Sequence, residues 1–404
     1  MARFKYEGRG KKGKQKGSIN AASRREALLK LKDNGIRVTD IEEVAETLLT
    51  KDLSFGNPVK LEQFVIFIRQ FATLLKAGVT VVDATKILSS QTESKQLKKA
   101  LLDIEQDLKE GNPLSNAINR HPKIFTPMFI NMIKAGEVGG NMDGTLERLA
   151  EHFEKQHHTR QKIVSAMAYP LVIAFIAIGV VIFLLVAVVP TFVSMFAGMG
   201  GELPGITKFV LGASGFMQSY WWLVAMIIFS FVLSIIYLKK NKETKFYLDY
   251  FLLRMPIFGK LLQKAALARM TRTFSSLFSS SVPILQAMTI VENVVGNEVI
   301  AKVIRQSRDS LEKGRSMTEP MKSHWAFPPL VTQMISIGEE TGALEAMLSK
   351  IADFYEKEVD TGTDRLKSLI EPLMIVVLAG LVGTIVTSIM VPMFEMFNQF
   401  QKKY

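Results

Sequence analysis

Three long stretches without a charged side chain limit what this sequence can fold into. No charge occurs from Ile163 to Gly201, between Lys208 and Lys239, or between Glu371 and Glu395. A bilayer core takes roughly 20 apolar residues as helix, and each stretch contains such a run. The cores fall at 170–190, 218–238 and 372–392. A buried helix of a soluble protein is the competing reading, but it does not account for charge exclusion of this length three times over. The chain reads as an integral membrane protein.

Basic residues orient the spans. Lys155, Arg160 and Lys162 precede the first, Lys239, Lys240, Lys242 and Lys245 follow the second, and Arg365 and Lys367 precede the third. The 191–217 segment carries only Lys208 against Glu202. The positive-inside rule predicts residues 1–165 and 239–370 on the cytoplasmic side, with the 191–217 loop and the C-terminal tail outside. No cleavable signal peptide is expected, because apolar sequence begins only near residue 163. The expected location is the bacterial inner membrane, crossed several times.

The net charge of +12 would suggest nucleic acid in a soluble protein. Here much of the excess flanks spans, where it meets anionic headgroups. The remaining cluster, "RGKKGKQKGS", lacks aromatic residues to stack bases, so direct nucleic-acid binding is not expected. There is no cysteine, which excludes disulfides, thiol catalysis and cysteine-held metals.

Residues 1–50 read as a small α+β module. "FKYEG", "KGSIN" and "IRVTDIEEV" alternate as strands, and Ser23 with Glu26 forms a capping box opening a helix that Gly35 ends. A polar linker follows at 45–58. Beyond it the chain repeats. "FIRQFATLLKAGVTVVDATKIL" (67–88) aligns with "MTRTFSSLFSSSVPILQAMTIV" (270–291), so that Arg69 matches Arg272 and Phe71 matches Phe274. Gly111 matches Gly314; one residue is then lost, and Phe125 matches Phe327, Gly136–Glu137 matches Gly338–Glu339, and Gly140 matches Gly342. Pro170 and Pro190 match Pro372 and Pro392, so each copy is a soluble bundle feeding a proline-bounded span. The second span, with Tyr220, Trp221 and Trp222, has no counterpart. It returns the chain so that both bundles share a side.

The fold expected is all-α in the membrane protein proper: two homologous cytoplasmic bundles of about six helices each and three transmembrane helices. The boundaries are 1–50 for the module, 59–168 and 262–368 for the bundles, and 169–196, 218–238 and 371–396 for the spans. Helical spacing supports this, since Leu61, Phe64, Val65, Ile68, Phe71, Ala72 and Leu75 follow i, i+3, i+4, i+7 up to Gly78.

Candidate chemistry is thin. Gly8, Gly13 and Lys14 match a phosphate-binding loop, but Gln15 stands where magnesium needs Ser or Thr, and no helix is expected to follow. "EHFEKQHH", with His152, His157 and His158, lacks the spacing that puts two imidazoles on one face, and reads as a solvated helix end. Glu137 is a weak candidate for a divalent cation; otherwise no metal, cofactor or catalytic set is expected. The serines at 275–276 and 279–281 read as packing or capping residues. An enzyme is not expected. The "G-E-x-x-G" stretches read as a corner: Gly136, Gly139 and Gly140 turn between two helices, and Glu137 sits in the gap beside a helix N-terminus. In the third span Ala379, Gly380, Gly383 and Thr384 have small-xxx-small spacing, which fits self-association.

The duplicated "F…L..G" helix, the duplicated "G-E-x-x-G" turn, the duplicated proline-bounded spans and "GELP" at 201–204 together resemble the type II secretion F / type IV pilus inner-membrane platform protein family. The resemblance covers nearly the whole chain. It implies a non-enzymatic core protein whose bundles contact a hexameric assembly ATPase and whose spans contact pilin or pseudopilin subunits, alongside other inner-membrane machine components. The protein is expected to be a homo-oligomer. The family pattern falls on Gly78, Gly136, Glu137, Gly140, Pro170 and Pro190, and again on Gly338, Glu339, Gly342, Glu371, Pro372 and Pro392. Ser281 replaces the second copy's glycine, and Tyr169 stands where that copy has Glu371. Arg69 and Arg272 are expected to meet acidic partner surfaces. A small oligomeric transporter or channel is the alternative, disfavoured by the uncharged spans; a membrane-tethered signalling scaffold is the third reading.

Overall fold

The computed structural model describes residues 2–10, 13–21, 37–44, 58–192, 204–238, 241–256 and 258–403, with single positions at 24, 28 and 32. The chain divides into two units at Pro58.

In the first unit, β1 (Ala2–Gly10), β2 (Gly13–Ala21) and β3 (Arg37–Val44) form an antiparallel sheet in the order β2-β1-β3. Phe4 pairs with Ile19, and Tyr6 with the buried Ile41. The glycine- and lysine-rich stretch 8–15 supplies the two arms of a hairpin, with Gly10 opposite Gly13. The expected capping box at Ser23 and Glu26, the helix end at Gly35 and the linker up to residue 57 lie outside the described residues.

The second unit is helical. Its first copy consists of α1 (Leu61–Lys76), α2 (Val81–Gln91), α3 (Lys95–Lys109), α4 (Leu114–Asn119), α5 (Pro127–Gly139) and α6 (Met142–Phe183). Next come α7 (Gly205–Leu238) and α8 (Lys242–Arg254). The second copy consists of α9 (Phe258–Ser279), α10 (Ile284–Val294), α11 (Glu298–Glu312), α12 (Glu319–Lys322), α13 (Pro329–Thr341) and α14 (Leu344–Lys403). Each copy thus has the expected six helices. Their starts follow capping chemistry: Thr80, Ser94, Thr126 and Asn141 each accept from a backbone N–H three residues on, and Pro127 takes the first helical position, where no N–H is needed.

The spans differ from expectation in two ways. Bundle and span are joined by continuous helix in both copies: α6 passes through a π turn at Leu184–Val188 and reaches Phe192, while α14 runs unbroken from Leu344. The middle span begins at Gly205, well before residue 218, so much of the expected 191–217 loop is helix, kinked at Tyr220. The early start buries Thr207, Val210 and Ser214 against the other two spans. Among the described residues, three helices are long and apolar enough to cross a membrane.

The core is continuous across both bundles. In the first, Phe64, Phe125, Phe129 and Phe153 interlock, with centroids 5.2 Å apart for Phe64–Phe153 and for Phe125–Phe129. These ring pairs are tilted or edge-on, the arrangement favoured by the ring quadrupole. At the matching positions the second copy buries Leu267, Phe327, Val331 and Tyr355.

Candidate functional site

The "G-E-x-x-G" stretch does three separate jobs. Gly136 and Gly139 are helical, not turn residues. A Cβ at Gly136 would stand 2.7 Å from Thr145 Oγ1, so its hydrogen lets α5 approach α6 closely; a Cβ at Gly338 would meet the Leu344 backbone at 3.0 Å. The turn itself rests on Gly140 (φ +64°) and Gly342 (φ +72°), left-handed caps that end α5 and α13. Glu137 is half-buried, and its partner is α4 rather than the α6 N-terminus: both its carboxylate oxygens accept from the Ser115 N–H at 3.2 Å, in the first turn of α4. Glu339 repeats this, accepting from the Met317 N–H at 3.0 Å and from Ser316 Oγ at 2.6 Å. Among the described residues no three His, Cys, Asp or Glu side chains are grouped to hold a metal.

Arg69 and Arg272 find acidic partners inside the chain. Arg69 Nε and Nη2 each donate to one oxygen of Glu154 at 2.6 Å, and Nη1 donates to Glu147. Arg272 makes the same fork on Glu356 at 2.7 and 2.8 Å and adds Asp353. Glu154 and Glu356 are 202 positions apart, the offset of the repeat there, so the same two-pronged clamp fixes the first helix of each bundle to its long helix. The Arg69 hydrogen bond holds the Glu154 carboxyl below its ordinary range. Burial would raise Asp353, but the Arg272 hydrogen bond, with the charges of Arg272 and Lys155, brings it below its ordinary range.

The bundles meet along α6. His152 is buried rather than solvated as its polar neighbours suggest, and its Nδ1 stands 3.2 Å from Ser276 Oγ. That hydroxyl gives its own proton to the Arg272 carbonyl at 2.9 Å, so Nδ1–H is the donor toward Ser276. Burial first, then the charges of Arg272 and Lys155, push the imidazole down to about 3. Arg148 donates to Ser280 at 3.3 Å, and Lys162 meets Asp360 at 2.6 Å. Ser276, on α9, and Ser280, just past its end, therefore lie on a seam between the copies.

Prolines stand where the long helices enter hydrocarbon. Pro170 lies buried inside α6, while Glu371 and Pro372 are exposed on α14, and Tyr169 is exposed beside Pro170. Pro190 lies two residues past the π turn; Val189 N–H bonds Leu184 O there, and in that i→i−5 register Pro190, lacking an N–H, leaves the Leu185 carbonyl without its helical donor. Side chains of α7 supply donors there: Ser214 Oγ to Leu185 O at 2.5 Å, and Gln218 Nε2 to Val186 O at 3.5 Å. In hydrocarbon no water can take that role, so neighbouring helices must. The unrepeated span thus mends the backbone of a repeated one. The "GELP" stretch before it has Gly201, Glu202 and Leu203 outside the described residues.

The sequence matches the family described as type II secretion system protein F over residues 67–190 and again over 270–392, and that family's N-terminal domain over 1–42. It is 36% identical to the type IV pilus assembly protein PilC of Myxococcus xanthus, covering 99% of this chain and 96% of that one. The PilC of Thermus thermophilus is 35% identical over 98% of this chain and 99% of its own. The type II secretion system protein F of Vibrio cholerae is 30% identical over 98% and 99%. With three apolar helices and these relatives, this is a multi-pass inner-membrane protein. Matched twice along its length, and almost end to end with its relatives, the chain belongs to the type II secretion system protein F family.

Proposed function

We propose that this protein is a non-enzymatic inner-membrane platform of a type IV pilus or type II secretion-like machine. In this reading a hexameric cytoplasmic ATPase docks on the bundles, and the spans guide pilin or pseudopilin subunits into or out of the bilayer. The observation that carries it is helical continuity: α6 and α14 begin in the bundles and run into the membrane with no flexible segment between. A helix transmits displacement along its axis, so a bundle turned by a partner moves the span below it. Basic residues beside the spans support a cytoplasmic N-terminus and bundles, with the C-terminus outside. An uncovered strip at Gly380, Gly383 and Thr384 supports a homo-oligomer.

Because the two arginines are engaged internally, docking in this reading falls to the bundle surface that the clamps hold in shape, with Gly78, Gly136, Gly140, Gly338 and Gly342 fixing its corners. The test is a three-residue Gly-Ser-Gly insertion after Val164, expressed in the native host. The insertion is expected to preserve co-purification with the ATPase and to abolish assembly. Normal assembly with the insertion would end the coupling reading, and normal piliation and secretion after deletion of the whole gene would end the platform reading.

A further inference from the structure

α8 has apolar residues on two faces, and among the described residues only one of them is covered. On the inner face Leu253 is buried, Asp249 accepts from the Glu298 N–H at 2.8 Å, and Phe246 lies 5.0 Å from Lys302 Nζ. These contacts seat the helix on the second bundle. On the outer face Tyr247 is 73% exposed and Phe251 68% exposed, one turn apart, with Tyr250 beside them. Arg254 lies between Tyr250 and Trp325, 5.1 and 5.2 Å from their centroids, and Trp325 is itself half-exposed. The result is a row of aromatic rings edged by one cation, facing out of the molecule.

The position of this row selects its occupant. α8 starts four residues after the middle span ends, and it is tied there: Thr244 Oγ1 donates to the Leu238 carbonyl at 2.7 Å, the last residue of α7. At about 1.5 Å of rise per residue, Phe251 lies within roughly 15 Å of that bond. The headgroup layer flanks the hydrocarbon on this scale. Tyrosine and tryptophan favour that layer, where an apolar ring body and a polar tip are both satisfied. Lys239, Lys240, Lys242 and Lys245 crowd the same stretch of sequence and match anionic headgroups.

We infer that the outer face of α8, Tyr247, Tyr250 and Phe251 with Trp325, rests in the headgroup layer of the bilayer and holds the second bundle against the membrane surface. The partner is lipid, and the contact is part of the resting protein rather than of any machine assembled around it.

The absence of native cysteine makes the test direct. Tyr247→Cys, Phe251→Cys and, as a control on the first bundle, Lys98→Cys are each labelled with a polarity-sensitive fluorophore. The full chain is reconstituted in vesicles of phosphatidylcholine and phosphatidylglycerol. Labels at 247 and 251 are expected to emit at shorter wavelength, to be quenched severalfold more by a nitroxide carried on lipid than by aqueous iodide, and the label at 98 to show the reverse. Iodide quenching at 247 and 251 equal to that at 98 overturns the inference, since the face then meets water. Protection from both quenchers also overturns it, since protein then covers the face.

Discussion

Thr207 Oγ1 donates to the main-chain carbonyl of Ser388 at 2.7 Å, from the middle span to the third. Ser388 is four residues before Pro392, which has no N–H to offer that carbonyl. Ser214 and Gln218 serve the stretch ahead of Pro190 in the same way, so one unrepeated helix supplies donors to both repeated ones. Thr207→Val keeps the shape and removes the donor. It is expected to lower stability by about 1 kcal/mol, the scale of interhelical hydrogen bonds in membranes. Thermal unfolding in nanodiscs checks this, with Thr207→Ser expected to stay near the native midpoint; equal midpoints for the valine variant would remove Thr207 from the joint.

The two arginine clamps have the same geometry and different burial. The Arg69 side chain is 34% exposed, that of Arg272 only 12%. Solvent screens the first pair more than the second. A double-mutant cycle on Arg69 and Glu154 is expected to give a coupling of roughly 0.5–1 kcal/mol. The cycle on Arg272 and Glu356 should exceed it, and single truncation of Glu356 should cost more than that of Glu154, because a largely covered guanidinium loses its two-pronged partner. Equal couplings at the two sites would contradict this ordering.

Ser281 takes a left-handed conformation, φ +58°, where the first copy has Gly78 at φ +85°. Both residues close the same cap: Val79 N–H reaches Leu74 O, and Val282 N–H reaches Leu277 O, each at 3.0 Å. A non-glycine residue in this region costs about 1–2 kcal/mol. Ser281→Gly is therefore expected to stabilise the second bundle by about 1 kcal/mol and Gly78→Ser to destabilise the first by a similar amount. Denaturant midpoints of the two variants should move in opposite directions.

Much of this architecture was legible in the residues because it rests on local chemistry. Charge exclusion marked the spans, and glycine, proline and helical spacing marked six helices per copy. The repeat also exposed the paired glycines, since Gly140 and Gly342 need the same positive φ. What escaped was everything set by packing across the chain. Gly136 looked like a turn residue because its need, close approach to Thr145, is visible only when two helices touch. His152 looked solvated because its neighbours in sequence are charged, whereas its neighbour in space is Ser276. The partners of Arg69 and Arg272 could have been found by carrying the alignment to Glu154 and Glu356, whose spacing is that of the repeat.

The buried imidazole of His152 makes the seam between the copies sensitive to acid. Burial, with the nearby charges of Arg272 and Lys155, holds it neutral down to about 3, against an ordinary value of 6.5. The unfolded chain therefore takes up a proton below pH 6.5 that the folded chain refuses, and stability falls as pH falls. The contribution is complete above pH 6.5 and is lost progressively toward pH 3, at up to about 1.4 kcal/mol per pH unit. Glu154 and Asp353, held below their ordinary values of 4.5 and 3.8, lose their contributions only at lower pH. The interval from pH 6.5 to 5 thus isolates the histidines, where His152 is expected to contribute a loss of about 2 kcal/mol. His324 is also lowered by burial and by Lys302, so it adds a background of the same sign. His152→Gln keeps a donor for Ser276 and removes the titration. Its unfolding midpoint should be lower than wild type at pH 7.5 but should fall less between pH 6.5 and 5. A variant whose midpoint tracks wild type across that interval would show that the imidazole is not the group being titrated.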